Sequence, residues 1–143
     1  MSRHRARIAV LETLYQLDSH GDDAIDALAV ESLCTEALER HGVRNDDSAD
    51  FGRALASGSW NNREQADRLI SQLSRGWALH RIGRLERAIM RMAVHEMHHM
   101  DIPPSVAINE AVELTKRYVS ERAASFVNGI LGSRVVREEV ENH

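Results

Sequence analysis

The fold of this chain is decided by two consecutive segments, VAINEAVELTKRY at 106–118 and, after seven residues, FVNGIL at 126–131. In both, apolar residues recur at the three- and four-residue steps of an amphipathic helix. Asn109 and Asn128 interrupt this apolar pattern. A buried amide is costly unless it finds hydrogen-bond partners. We therefore expect two buried amides that hold the C-terminal helices in register.

The rest of the chain carries the same helical periodicity. Helices are predicted over about 8–18, 24–40, 48–58, 63–79, 82–100, from Pro103-Pro104 onward, and over 122–140. Gly42 is a plausible end for the second helix, and the stretch 58–62 is expected to separate the third from the fourth. No β-hairpin signal is present. The predicted fold is all-α, with about seven helices in one domain over 1–143, made of two small packed subdomains near 1–60 and 61–143.

Composition excludes several classes of protein. The single cysteine, Cys34, excludes an internal disulfide framework and a multi-cysteine zinc site. No apolar run approaches the length of a membrane span, and the N-terminal arginines lead into an amphipathic segment rather than a signal peptide. We expect a cytoplasmic protein that does not associate with membranes.

The net charge of −4 hides a strong asymmetry along the chain. Residues 1–17 hold three arginines against one acid, and 51–100 hold eight arginines against four acids, whereas 18–50 hold two arginines against ten acids. Local basic fields can attract phosphate despite a negative total. The basic regions are therefore candidates for binding nucleic acid.

The predicted fifth helix carries one such basic stripe. Its members follow one another at steps of three or four residues and so share one helix face: Arg84, Arg87, Arg91, His95 and His98. An exposed stripe of this kind binds phosphate through its arginines, and the histidines add charge below about pH 6.5. A solvated surface face, or ion pairs with acids of 18–50, explains the pattern equally well.

The N-terminal arm RHRAR at 3–7 is the second basic element. All three arginines share a side only in an extended arm; helical geometry pairs Arg3 with Arg7 and turns Arg5 away. Either an arm that orders on RNA or an ordinary charged terminus fits this pattern. Spacing alone places Phe126 and Tyr118 in the core rather than on a stacking surface.

The string HEMHH at 95–99 matches the H-E-x-x-H pattern of zinc peptidases. His95 and His99 would bind the metal while Glu96 activates water. The extended pattern fails, because Ile102 and Ser105 occupy its glycine and third-histidine positions. A polar helix face is the alternative, and we predict no metal, no cofactor and no catalytic residue.

Three ordered blocks resemble the NusB family of bacterial transcription antitermination factors. They are the arginine-rich start through Leu14-Tyr15, the segment LERAIMRMAVHEM at 85–97 with the following Asp101-Ile102-Pro103, and the opening pair of segments at 106–131. Residues 18–80 match only in length and helical character. The resemblance implies two small helical subdomains, no catalysis, and binding to the boxA element of ribosomal RNA leaders. It also implies a partner, the small-subunit ribosomal protein NusE, and assembly of an antitermination complex on RNA polymerase.

By position, the resemblance also assigns site residues. RNA contacts fall on Arg3, Arg5, Arg7, Glu86, Arg91 and Phe126, and the surface for NusE involves Tyr15 and Glu86. Phe126 is thereby moved from the core to the RNA surface. Three positions depart from the family: His4 and His95 stand where Arg and Tyr are common, and Arg122 stands where an acid can occur. A helical adaptor protein that does not bind RNA remains the non-enzymatic alternative.

Overall fold

The computed structural model describes residues 2–19, 27–44, 46–74 and 82–133. All regular structure in these ranges is helical, as predicted. The helices are α1 (Ser2–Ser19), α2 (Ala27–Arg40), α3 (Asp47–Asn61), α4 (Arg63–Leu73), α5 (Arg84–His99), α6 (Pro104–Tyr118) and α7 (Glu121–Leu131). They form two compact units, Met1–Asn61 and Asn62–His143. No described helix is long and apolar enough to cross a membrane.

In the first unit, α1, α2 and α3 each pack against the other two. Buried leucines from all three helices fill the centre, among them Leu14, Leu38 and Leu55. Cys34 of α2 is fully buried there, and burial raises the pKa of its thiol to about 11. Burial of this apolar surface stabilises the bundle.

Gly42 ends α2, as predicted. Its φ of 73° lies in the left-handed region, which glycine enters at no steric cost. The Gly42 N–H donates to the Glu39 carbonyl at 3.0 Å, and the Val43 N–H donates to the Leu38 carbonyl at 2.9 Å. These two bonds satisfy carbonyls that the helix end leaves open.

The boundaries of α1 and α3 differ from the prediction. The first helix begins at Ser2 rather than near Ile8, so the basic arm is helical. The third helix continues to Asn61, through the stretch expected to break it, because burial of Ser59 and Trp60 outweighs the weak helix propensity of the neighbouring glycine. The predicted ends of the fourth and seventh helices, near 79 and 140, lie outside the described residues.

In the second unit, α5 packs against α4, α6 and α7. Asp101 turns the chain after α5 with a left-handed φ of 54°, and Pro104 occupies the first turn of α6, as predicted. Ser120 caps α7, its side-chain oxygen accepting a hydrogen bond from the Ala123 N–H at 3.0 Å.

Candidate functional site

The basic arm forms the first turns of α1, and the helical alternative for it is the observed one. Arg3 and Arg7 lie on the same side of the helix and share one aromatic partner in α3. Their guanidinium carbons lie 4.5 and 5.0 Å from the centroid of the Phe51 ring. Arg5 points elsewhere, and its Nη1 atom lies 3.4 Å from the position that a Cβ on Gly42 would take.

The three arginines differ in their access to solvent. Arg3 and Arg5 are exposed, whereas Arg7 is only 3% exposed. Among the described residues, neither Arg3 nor Arg5 has a hydrogen bond or an ion pair. As far as the described ranges show, the arm presents two exposed guanidinium groups, whereas that of Arg7 is buried against Phe51.

The second unit carries a cavity of about 600 Å³ beside the start of α5. Its lining comes from α5, α7 and the segments that precede each of these helices: Ile82, Gly83, Glu86, Val119, Ser120, Arg122, Ala123 and Phe126. Mostly apolar walls, one arginine and one carboxylate suit a ligand that combines flat apolar faces with polar edges. Two of the residues to which the resemblance assigns RNA contacts, Glu86 and Phe126, line this cavity.

Phe126 is half-buried and also lines a second cavity of about 460 Å³. Spacing alone predicted a core residue, and the structure instead leaves part of the ring accessible. Glu86 folds back over the helix start, and a Cβ on Gly83 would lie 2.7 Å from its Oε2 atom. Gly83 thus lets the Glu86 carboxylate approach the backbone closely.

Tyr15, the other residue assigned to a protein partner, lies on α1. Its side chain is 42% exposed, which is high for a tyrosine in a helix that buries nine of its residues. An exposed aromatic side chain with a polar tip is typical of protein interfaces. Tyr15 therefore remains available for the role that the resemblance gives it.

The prediction of an exposed basic stripe on α5 is wrong. Arg91, His95 and His98 are buried, and only Arg84 is exposed. Arg91 donates from Nε and Nη2 to the two carboxylate oxygens of Asp67 at 2.7 and 2.6 Å. This bidentate pair joins α5 to α4, so direct contact of Arg91 with RNA is not supported by its position. The acid is also not from 18–50, the region that the ion-pair alternative named.

The three histidines of the HEMHH string lie close together without forming a metal site. The His95 and His99 rings are 5.0 Å apart between centroids, and His99 Nε2 lies 3.3 Å from the Gln65 side-chain oxygen. Glu96 is fully buried. Within the described part of the chain, no group of three or more potential metal ligands comes together. The zinc-peptidase interpretation therefore gains no third ligand.

Burial and its neighbours also change the chemistry of His95. Desolvation, followed by the charges of His99 and His98, lowers its pKa from 6.5 to about 4. His95 is thus neutral at physiological pH and adds no charge to α5.

The expectation of two buried amides is also wrong. Asn109 and Asn128 are both exposed, and they line a shallow groove of about 400 Å³ between α6 and α7 with Ser105, Ile108, Gly129 and Gly132. The apolar faces of α6 and α7 pack against α5, and neither asparagine belongs to these faces. Helix register is held by buried Ala111, Leu114 and Val127 instead.

Sequence reasoning missed two residues, Phe51 and Asp67. Each lies on a helix whose sequence showed only length and amphipathic character. Phe51 is an aromatic residue four positions after a helix start, and Asp67 is one of two acids on α4. Neither position indicates its partner.

Comparisons with known proteins agree with this architecture. The NusB family profile matches residues 4–135. The transcription antitermination protein NusB of Symbiobacterium thermophilum is 46% identical over 136 residues, covering 93% of this chain and 88% of that protein. Among solved structures, T. maritima NusB is similar with a TM-score of 0.82 and 32% identity, over 96% of this chain and 92% of that one. A structure of the antitermination factors NusB and NusE in complex with dsRNA matches with a TM-score of 0.80 and 25% identity, over 96% and 97% of the two chains.

Proposed function

The chain belongs to the NusB family, and we propose that it is a transcription antitermination factor that binds boxA-type RNA together with NusE, a small-subunit ribosomal protein. The protein acts in the cytoplasm, without catalysis, by helping to assemble the antitermination complex on RNA polymerase. The match to a NusB–NusE–dsRNA structure over nearly the whole chain supports this choice of partners.

The observation that carries the RNA part of the proposal is the pair of exposed guanidinium groups at the start of α1. Arg3 and Arg5 lie where the positive end of the helix dipole adds to their charge. Arginine binds phosphate through several donors at once, and most protein–nucleic acid contacts go to the backbone. We assign phosphate contacts to Arg3 and Arg5, and support of the arm to the buried Arg7.

The cavity around Phe126 supplies the contacts to bases. An accessible aromatic face stacks on unpaired RNA bases, and a carboxylate accepts hydrogen bonds from base amino groups. We assign these roles to Phe126 and Glu86, with Arg122 providing a further positive charge at the same cavity. Arg91 acts through its bond to Asp67, as a residue that positions α5 rather than one that touches RNA.

We assign contacts with NusE to Tyr15 in the first unit and to Glu86 in the second. Tyr15 offers an exposed amphipathic ring. Glu86 lines the cavity, and we propose that its carboxylate contacts both RNA and NusE. Substituting Tyr15 by Ala is expected to weaken binding to NusE and leave binding of RNA by the chain alone unchanged.

Binding measurements test the proposal directly. The chain alone, NusE alone and their mixture are titrated with a boxA RNA and with a scrambled RNA of equal length at several salt concentrations. We expect preference for boxA, tighter binding by the mixture, and affinity that falls as salt rises. Equal binding of both RNAs with and without NusE would contradict the proposal, and binding of NusE without any RNA affinity would favour the helical adaptor.

A further inference from the structure

We infer that Phe51 is a positioning residue for the RNA contact of Arg3, because its ring orients the Arg3 side chain before RNA binds. This inference rests on the proposed function and adds a residue that the sequence did not single out. Phe51 lies in the second turn of α3 and is only 6% exposed, so it does not offer itself to a base. Its role follows from the arginine side chains that cover its ring.

The ring of Phe51 is covered by two cations from α1. The guanidinium carbons of Arg3 and Arg7 lie 4.5 and 5.0 Å from its centroid. A cation above an aromatic face is attracted by the negative charge of the π-system, and arginine adds dispersion because it is flat. Arg3 and Arg7 repel each other, and the attraction of both to one ring offsets part of that repulsion.

The contact leaves the hydrogen-bonding edge of Arg3 available. A guanidinium group carries five N–H donors, and contact with one aromatic ring cannot occupy all of them. Arg3 is exposed, and among the described residues its donors have no hydrogen-bond or ion-pair partner. The ring therefore holds Arg3 in place, and no described residue occupies the donors that a phosphate would use.

Such fixing matters because a free arginine side chain loses much of its conformational freedom on binding. That loss weakens binding, and preorganisation removes part of it. The backbone of the arm is preorganised as well, since α1 begins at Ser2. The backbone beside Phe51 is also fixed, because Gly52 packs so closely against α2 that an added Cβ would lie 3.0 Å from Leu38 Cδ2. The arm thus meets RNA already folded, in contrast to an arm that orders on binding.

The test is a double-mutant cycle of Phe51→Leu and Arg3→Ala, read out as affinity for boxA RNA in the presence of NusE. Leucine keeps an apolar side chain at this position and removes the π-system. We expect Phe51→Leu to weaken binding about three- to tenfold, and Arg3→Ala to have a clearly smaller effect in the Phe51→Leu background than in the unaltered chain. Phe51→Tyr, which keeps the ring, should restore most of the affinity.

Arg5→Ala is the matched control, because Arg5 is an exposed arginine of the same arm and only Arg3 and Arg7 lie over the Phe51 ring; its effect on affinity should be equal in the unaltered chain and in the Phe51→Leu background. Helical circular dichroism and thermal melts establish that each variant is folded at the temperature of the binding assay. A second readout needs no RNA: in NMR spectra, the ring current of Phe51 should shift the Arg3 side-chain protons, and Phe51→Leu should abolish that shift.

Equal effects of Arg3→Ala in both backgrounds would reduce Phe51 to a core residue and overturn the inference. So would unshifted Arg3 protons in the unaltered chain, or an effect of Arg5→Ala that shrinks in the Phe51→Leu background as much as the effect of Arg3→Ala does. These outcomes leave the proposed function intact when the unaltered chain binds boxA RNA. Failure of the unaltered chain to bind overturns the proposed function, and this inference with it.

Discussion

The buried imidazole of His95 makes the stability of the protein depend on pH in a predictable direction. Its pKa is about 4 in the folded chain and 6.5 as the ordinary value, which we take for the unfolded chain. Between these values the unfolded chain binds more protons than the folded one. Stability from this group is therefore complete above about pH 6.5 and is lost as the pH falls toward 4.

The size of the effect follows from the same two pKa values. At about pH 5, nearly all of the unfolded imidazole is protonated but only about a tenth of the folded one, which corresponds to about 2 kcal/mol lost relative to neutral pH. The full shift corresponds to about 3 kcal/mol below pH 4. The groups that face His95 are the rings of His98 and His99, and both oppose its protonation. Arg91 lies on the same side of α5 as His95, and its partner Asp67 lies on α4 together with Gln65.

Urea unfolding of the unaltered chain and of His95→Gln, each at about pH 7.5 and pH 5, measures this contribution. The difference in unfolding free energy between the two pH values should be about 2 kcal/mol smaller for His95→Gln than for the unaltered chain. His99→Gln, which removes an exposed imidazole one turn away, is the control and should retain most of the pH dependence. An unchanged pH dependence in His95→Gln would refute the reasoning.

Three further predictions concern single side chains in the second unit. Asp67→Ala should lower the unfolding free energy by about 3 kcal/mol, because it leaves the buried Arg91 guanidinium without its carboxylate; urea unfolding measures this, and a loss below about 1 kcal/mol would show that the pair is solvated. Gly129→Ala should raise the unfolding free energy by up to about 1 kcal/mol, since an added Cβ meets nothing within 4 Å and alanine favours the helix; a lower melting temperature would contradict it. Gly83→Ala should leave the fold intact but displace the Glu86 carboxylate, and so change affinity for boxA RNA or NusE in titrations; Ser71→Ala, an exposed change on α4, is the control, and equal affinities in both variants would separate Glu86 from the binding site.

Sequence periodicity predicted the helices well because burial of an apolar stripe is a local pattern. Gly42 and Pro104 were also predictable, since a left-handed helix end and a first helical turn each favour one residue type. The α5 stripe shows where this reasoning ends. Spacing places Arg91 and His95 on one face, but only the tertiary structure reveals that other residues bury that face and that Asp67 pairs with Arg91.

The two asparagines and Phe51 illustrate the same limit in opposite directions. Asn109 and Asn128 lie beside apolar residues in the sequence, yet a helix turns each of them about 100° from its neighbours and into solvent. Phe51 has no sequence feature that sets it apart from a core residue. Its contact with Arg3 and Arg7 joins residues more than forty positions apart, and no local pattern encodes such a pair.

Cys34 gives the first unit an internal reporter of its own opening. It is the only thiol in the sequence, it is fully buried, and burial keeps its pKa near 11, so almost no reactive thiolate is available to a reagent in the folded state. Alkylation therefore requires α2 to separate from its neighbours, and the alkylation rate measures how often that opening occurs. A ligand that binds α1 and slows this opening would be detected as slower alkylation, without a reporter group being engineered into the protein.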